Sequence, residues 1–181
     1  MGGLPPFPAP AGAGIAAPPA LAARGFALRA ATLSDLPALR RVYADSRAAE
    51  MAMAPWPEGL KQAFLDQQFD LQHRHYVQHY ADAEFLVIER GGEVVGRLYL
   101  QRQPPEHLVV DISLRESQRG QGLGGALLVH AQADAAAVGR GLFLHVRRDN
   151  PAARRLYLRL GFEPAGGTDS HERMAWRPSL S

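Results

Sequence analysis

From Phe26 onward the period of apolar residues changes repeatedly, and each change marks an element. Phe26–Ala30 alternates and predicts a strand. Thr32 or Ser34 can cap a helix over Asp35–Ser46, whose Leu36, Leu39 and Tyr43 fall on one stripe. Pro55 and Pro57 break the stretch Met51–Pro57. A longer helix is expected to about Tyr80, with Leu65, Phe69, Gln72, Tyr76 and Tyr80 along one face. Glu84–Glu89 and Glu93–Gln101 read as strands joined by the hairpin signal Gly91-Gly92. Leu108–Leu114 is a further strand, Gln121–Val138 an Ala- and Leu-rich helix, and Leu142–Val146 another strand. Asn150 caps a helix over Pro151–Leu160, with Pro151 at its first position and Gly161 at its end. Phe162–Ala165 and Arg173–Trp176 are closing strands. The order predicts an α/β (α+β) fold, a mixed sheet with helices on its faces.

Residues 1–23 follow a different pattern. Met1–Ala20 is almost entirely Gly, Pro and Ala, with six prolines and only Leu4, Phe7 and Ile15 as large apolar residues. Prolines oppose a helix or a ladder, and so few apolar groups do little against the entropy of ordering. The expectation is a disordered tail over 1–23 and one domain over 24–181.

Composition narrows the chemistry. A chain of 181 residues with 46% hydrophobic and 21% charged residues can bury a core without staples. It has no cysteine, which excludes a disulfide framework, a thiol nucleophile and a zinc–thiolate site. The net charge is only +2, although every basic residue except Lys61 is Arg. That balance gives little reason to expect nucleic acid as a partner. No stretch approaches the roughly 18 apolar residues of a membrane span. The first positive side chain is Arg24, so the opening residues lack the basic start of a signal peptide. The expectation is a soluble, cytoplasmic protein. His75 and His79 stand one helical turn apart, but His-Glu-x-x-His is absent and no third ligand suggests itself, so no metal is expected.

The most informative segment is Ser117-Gln118-Arg119-Gly120-Gln121-Gly122-Leu123-Gly124-Gly125, between a strand and a helix. Glycine lets the chain turn tightly and lets a ligand approach the backbone. Free N–H groups at a helix start, with the positive end of the dipole, form an anion site. Arg119 adds a fixed positive charge at its rim. A diphosphate is the natural guest. Gly120-x-Gly122-x-x-Gly125 also satisfies the dinucleotide fingerprint, with Asp149 near the ribose-binding position. Two points oppose that reading: the fingerprint should follow its strand directly, and too little chain remains for a second mononucleotide half. A Walker loop is excluded because no Lys-Ser or Lys-Thr follows the glycines.

Arg119-x-x-Gly122-x-Gly124 resembles the Gln/Arg-x-x-Gly-x-Gly/Ala signature of the GNAT family of N-acetyltransferases. A second segment strengthens the resemblance. Asn150-Pro151-Ala152-Ala153-Arg154-Arg155-Leu156-Tyr157-Leu158-Arg159-Leu160-Gly161-Phe162 is similar to the family's Asn-x-x-Ala-x-x-x-Tyr-x-x-x-Gly-Phe, at a similar spacing. The resemblance implies a mostly antiparallel sheet whose central parallel strands splay apart. It implies direct transfer of an acetyl group from acetyl-coenzyme A to a primary amine, on a small molecule or a peptide. The alternative is a coenzyme A-binding module without turnover.

The resemblance also implies roles. Backbone N–H groups of Arg119, Gly120, Gln121, Gly122, Leu123, Gly124 and Gly125 would hold the pyrophosphate. Backbone of Ile112 and Leu114 would pair with the pantetheine arm, and the N–H of Leu114 would steady the thioester oxygen. Asn150 would contact pantetheine as well as cap its helix. Tyr157 would protonate the leaving thiolate, for which a phenol is suited. Asp111 is the candidate base, with Glu106 and His107 farther back on the same strand. An acid among Val109, Val110 and Ile112 needs an explanation, and a structural hydrogen bond serves as well as catalysis. Side-chain alternation puts Asp111 and Ser113 on one face. The acceptor wall is expected around Glu50, Met51, Met53, Trp56 and Phe69. His145 reads as a strand residue with a local hydrogen bond. Exposed late strands make a homodimer conceivable.

Overall fold

The structure is a computed structural model that describes residues 2–10 and 12–180. Met1, Ala11 and Ser181 lie outside the described residues. In chain order the elements are α1 (Pro19–Ala22), β1 (Phe26–Ala30), α2 (Leu36–Ser46), α3 (Ala48–Met53), α4 (Glu58–His79), β2 (Glu84–Arg90), β3 (Glu93–Gln101), β4 (Glu106–Leu114), α5 (Leu123–Ala137), β5 (Gly141–Arg147), α6 (Pro151–Arg159), β6 (Glu163–Gly167) and β7 (His171–Trp176). Single 3-10 turns precede α2 and α5. The strands form one sheet in the order β1-β2-β3-β4-β5-β7-β6. Every pairing is antiparallel except that of β4 with β5.

The sheet is covered on both faces. Leu86, Ile88, Leu98 and Leu100 pack toward Leu123, Leu127, Leu128 and Ala131 of α5 and Tyr157 of α6. Phe85, Val87 and Tyr99 pack toward Leu39 and Tyr43 of α2, Met51 of α3, and Leu65 and Phe69 of α4. Burial on both faces explains why β2 reads as the unbroken apolar run Phe85-Leu86-Val87-Ile88. In α4, Leu65, Phe69 and His73 recur every four residues as the buried stripe.

Two expected boundaries differ. The helix expected from Asp35 begins at Leu36, after a 3-10 turn over Leu33–Asp35. Asp35 accepts from the backbone N–H of Thr32 at 2.7 Å and takes the two-pronged Arg29 guanidinium at 2.7 and 2.8 Å. The stretch read as broken at Met51–Pro57 is helical up to Met53, and Pro55 and Pro57 act only after it.

The amino-terminal segment, expected as a disordered tail, packs against the domain in this structure. The Phe7 ring meets His73 edge-on at 4.8 Å and Phe85 at 5.6 Å. The Pro5 carbonyl lies 2.7 Å from His73 Nε2, and the Ala16 carbonyl 2.8 Å from His130 Nε2. Ile15 and Leu21 are buried in the main core. The physical reason is that the few large apolar residues are spaced to reach separate hollows. The prolines between them limit the freedom of the unfolded chain and so reduce the entropy lost on docking.

The feature that positions the site lies in β4. Asp111 pairs with Tyr99 but Val109 pairs with Leu100, so Val110 is an extra residue, a β-bulge. The parallel pairing to β5 runs from Glu106–Gly141 to Val109–Leu144 and stops there. Beyond the bulge β4 and β5 part, which is the splayed pair that the resemblance implied. Among the described residues, no helix is long and apolar enough to cross a membrane.

Candidate functional site

The glycine segment forms the turn into α5. Gly120 and Gly122 sit at φ +73° and +78°, the left-handed region where glycine carries no Cβ penalty. A Cβ at either would meet nothing within 4 Å, so the backbone there faces open space. The Ala126 N–H bonds to Gly122, the first such bond of the helix. Among the described residues, no acceptor takes the N–H groups of residues 120–125. These donors at the positive end of α5 are a cradle suited to a pyrophosphate. Arg119 is exposed beside them, and its Nη2 donates to the Leu114 carbonyl at 3.2 Å.

That carbonyl belongs to the free edge of β4. The Arg115 N–H donates to the Val95 carbonyl at 2.8 Å, toward β3. Backbone groups alternate sides along a strand, so the N–H groups of Ile112 and Leu114 point the other way, into the gap left by β5. The side chains of Ile112 and Leu114 pack toward the α5 and α6 face. Three adjoining hollows follow this edge, and Ile112 and Ser113 wall all three. One, about 390 Å³, runs past Arg119, Gly124, Asn150, Ala153 and Leu156 to Tyr157. The middle one, about 320 Å³, reaches Tyr157, Asp111, His145 and Tyr76. The third, about 650 Å³, opens among Tyr43, Arg47, Arg97, Arg148 and His171.

Asn150 caps α6, its Oδ1 accepting from the Ala153 N–H at 3.2 Å, and lines the first and third hollows. Tyr157 projects from α6 with its ring edge-on to Phe162 at 6.0 Å. Its hydroxyl has no hydrogen-bond partner among the described residues, and the first two hollows meet at this side chain. Burial, aided by the Asp111 charge, pushes the phenol up to about 12, so it carries its proton throughout the neutral range.

Asp111 is differently placed from a free base. Arg97 Nε donates to Oδ1 at 3.1 Å and Arg97 Nη2 to Oδ2 at 3.0 Å. The Ser113 hydroxyl adds a bond to Oδ1 at 2.6 Å and the Tyr76 hydroxyl one to Oδ2 at 2.8 Å. Four donors saturate the carboxylate. Arg97 is 2% exposed, and Gln72 Oε1 takes a further Nη2 proton at 2.6 Å. Burial opposes the charge on Arg97, but the facing Asp111 outweighs it and holds the guanidinium above its ordinary value. Loss of one partner of such a buried pair typically costs about 3–5 kcal/mol. The carboxylate that an apolar strand left unexplained is therefore paired across the sheet, as the structural reading required. Arg97, Gln72 and Tyr76 were not singled out as polar site residues. The available signal was Arg97 itself, a lone charge within Val94–Leu100.

Most of the remaining candidates are engaged elsewhere. Glu50 is tied to Arg47 at 2.5 Å. Trp56 packs edge-on against Phe64. Glu106 holds Arg173, and His107 is buried beside Asp134. Arg147 pairs with Asp149 at the surface, and Arg154 reaches the buried carboxylate of Glu172. His145 has no local hydrogen bond among the described residues, contrary to expectation, and faces the middle hollow.

A sequence model described as the acetyltransferase (GNAT) family matches residues 41–162, more than half of the chain. The chain belongs to the acetyltransferase (GNAT) family. Its acyl donor is accordingly acetyl-coenzyme A, and the cradle, the free β4 edge and the hollow ending at Tyr157 fit that molecule. Solved structures with the same fold include the PaiA N-acetyltransferase of Thermoplasma acidophilum in complex with coenzyme A, at 18% identity and TM-score 0.66, covering 84% of this chain and 99% of that one. The ribosomal-protein-S18-alanine N-acetyltransferase of Escherichia coli is 23% identical with TM-score 0.58, covering 86% and 96%. An acetyltransferase of Thermus thermophilus is 22% identical with TM-score 0.63, covering 84% and 97%. No curated protein matches the sequence of this acetyltransferase.

Proposed function

We propose that this acetyltransferase passes the acetyl group of acetyl-coenzyme A directly to a primary amine, on a small molecule or a peptide, with both substrates bound together. The observation that carries the reading is the continuity of the cleft. Donor cradle, β4 edge, Tyr157 and the 650 Å³ hollow adjoin around Ile112 and Ser113, which wall all three hollows, so both substrates can be held side by side. Acetyl-coenzyme A supplies the thioester, and the chain does the rest. The N–H groups of residues 120–125, with Arg119, anchor the diphosphate. Ile112 and Leu114 orient the pantetheine arm through backbone, as an added strand would be held. The Leu114 N–H is placed to stabilise charge on the carbonyl oxygen. Asn150 holds the start of α6, and so Tyr157, against this edge. Tyr157 donates its proton to the departing sulfur. The saturated Asp111 acts as an anchor for the acceptor wall rather than as the base. Without a cysteine, no acetyl-thiol enzyme stage is available.

The test is release of free thiol from acetyl-coenzyme A over a panel of primary amines and peptide amino termini. Turnover with at least one acceptor is expected. Tight coenzyme binding with no thiol release on any member would favour the binding module instead. The unpaired, protonated Tyr157 hydroxyl supports the enzyme, since a module has no use for an acid at that point.

A further inference from the structure

We infer that His145 is the catalytic base that takes the proton from the acceptor amine. The inference rests on the proposed transfer and adds to it the group that Asp111 cannot be. β5 pairs with β4 as far as Leu144, so His145 is its first residue beyond the seam. Leu142, Leu144 and Val146 face α5, which places His145 on the opposite face with Phe143, whose ring it meets edge-on at 5.9 Å. Asp111 and Tyr76 lie across the gap on that face, and Tyr157 reaches the same hollow from α6. Acid and base thus stand on opposite sides of one opening.

The imidazole is free for the task. No protein group among the described residues hydrogen-bonds to it, whereas His171 Nδ1 lies 2.8 Å from the Ser170 hydroxyl. The charges around it favour the neutral form. His145 is exposed at the wall of the hollow, where partial desolvation, then Arg173 and His171 on β7, hold it below the ordinary histidine value. Arg147 on β5 also lines the hollow, its charge met by Asp149. On β4 the Asp111 carboxylate is neutralised by Arg97, and Tyr76 of α4 and Tyr157 of α6 are protonated. A neutral ring at pH 7 is a competent base for an ammonium group.

The proton balance closes. His145 accepts one proton from the ammonium, and the nitrogen lone pair forms the new N–C bond. The C–S bond breaks with its electrons going to sulfur, which takes the Tyr157 proton. The second amine proton restores Tyr157, and His145 releases its own to solvent. One amide, one thiol and one proton result.

The experiment uses the whole chain and an amine that the wild type acetylates in the panel above. Total failure of that panel would count against the transfer itself, not against His145. His145→Gln should lower kcat/KM at pH 7 by ten- to a hundredfold and leave coenzyme A affinity unchanged in calorimetry. The loss should shrink as pH rises past the amine's own ionisation, where no base is needed. A merely structural histidine would give a loss independent of pH. That result, or full activity in the variant, overturns the proposal. A second measurement needs no acceptor. Diethyl pyrocarbonate should modify His145, and saturating acetyl-coenzyme A should protect it, as read by peptide mass mapping. Undiminished modification with acetyl-coenzyme A bound would place His145 away from the thioester and also overturn the proposal.

Discussion

At Tyr157 a single oxygen separates two roles for the same ring. Packing against Phe162 needs only the ring, while thiol protonation needs the hydroxyl. Tyr157→Phe should therefore lower kcat on the order of 10²-fold while coenzyme affinity stays within about twofold. Unchanged kcat would show that sulfur leaves without help from this residue. Gly122 tests the donor end. Its left-handed backbone costs an L residue about 1–2 kcal/mol, and its missing Cβ faces open space, so Gly122→Val should still fold. Its methyl groups would occupy the diphosphate position, and calorimetry should show acetyl-coenzyme A affinity falling by at least about tenfold. Undiminished affinity would move the diphosphate elsewhere. The turn at Gly122 and the cap at Asn150 were legible in the sequence because their geometry is local. Asp111 was legible only as a puzzle. Its partner Arg97 is fourteen residues away on the neighbouring strand, and pairing across a sheet depends on register.

The elements themselves were mostly legible for the same reason. Period, caps and hairpin signal describe nearest neighbours along the chain, and they recover β2, β3, α5 and α6 to within a few residues. What they could not supply was the docking of residues 2–10 and 12–23. Phe7 finds its partners at His73, Phe85 and Tyr99, and no local pattern records that. Proline-rich composition was therefore read as disorder, although a strap with three or four anchors can be ordered by the surface it crosses. Removal of residues 1–17 should expose Tyr99, Phe85 and His73. Re-exposing this apolar surface to water, offset by the ordering entropy regained, should lower the midpoint of thermal unfolding by about 3–8 °C. An unchanged midpoint would mean that the strap adds nothing to stability.

Across the whole molecule, buried phenols set an alkaline limit. Tyr76, Tyr99 and Tyr157 are each pushed up, chiefly by burial. Below pH 10 both folded and unfolded chains hold these protons, and stability is unaffected. As pH rises above 10.0 the unfolded chain loses them while the fold retains them, so stability falls. For Tyr157, released near 12 in the fold, the difference corresponds to about 2–3 kcal/mol by the time that pH is reached. Urea midpoints should be flat from pH 8 to 9.5 and drop steeply above 10. A flat profile to pH 11.5 would show the phenols to be ionising within the fold.

The bulge at Val110 acts as a phase shift of one residue. Val110 and Asp111 face the same side of the sheet, so every side chain after them is inverted relative to an unbroken strand. That inversion sends Asp111 to Arg97 and turns the amides of Ile112 and Leu114 toward the gap. Straightening the strand with Val110 kept in the ladder would alter no site side chain. It would nevertheless turn the carboxylate toward α5 and remove the donors from the edge. The chemistry here is encoded in the parity of a strand as much as in the identity of its residues.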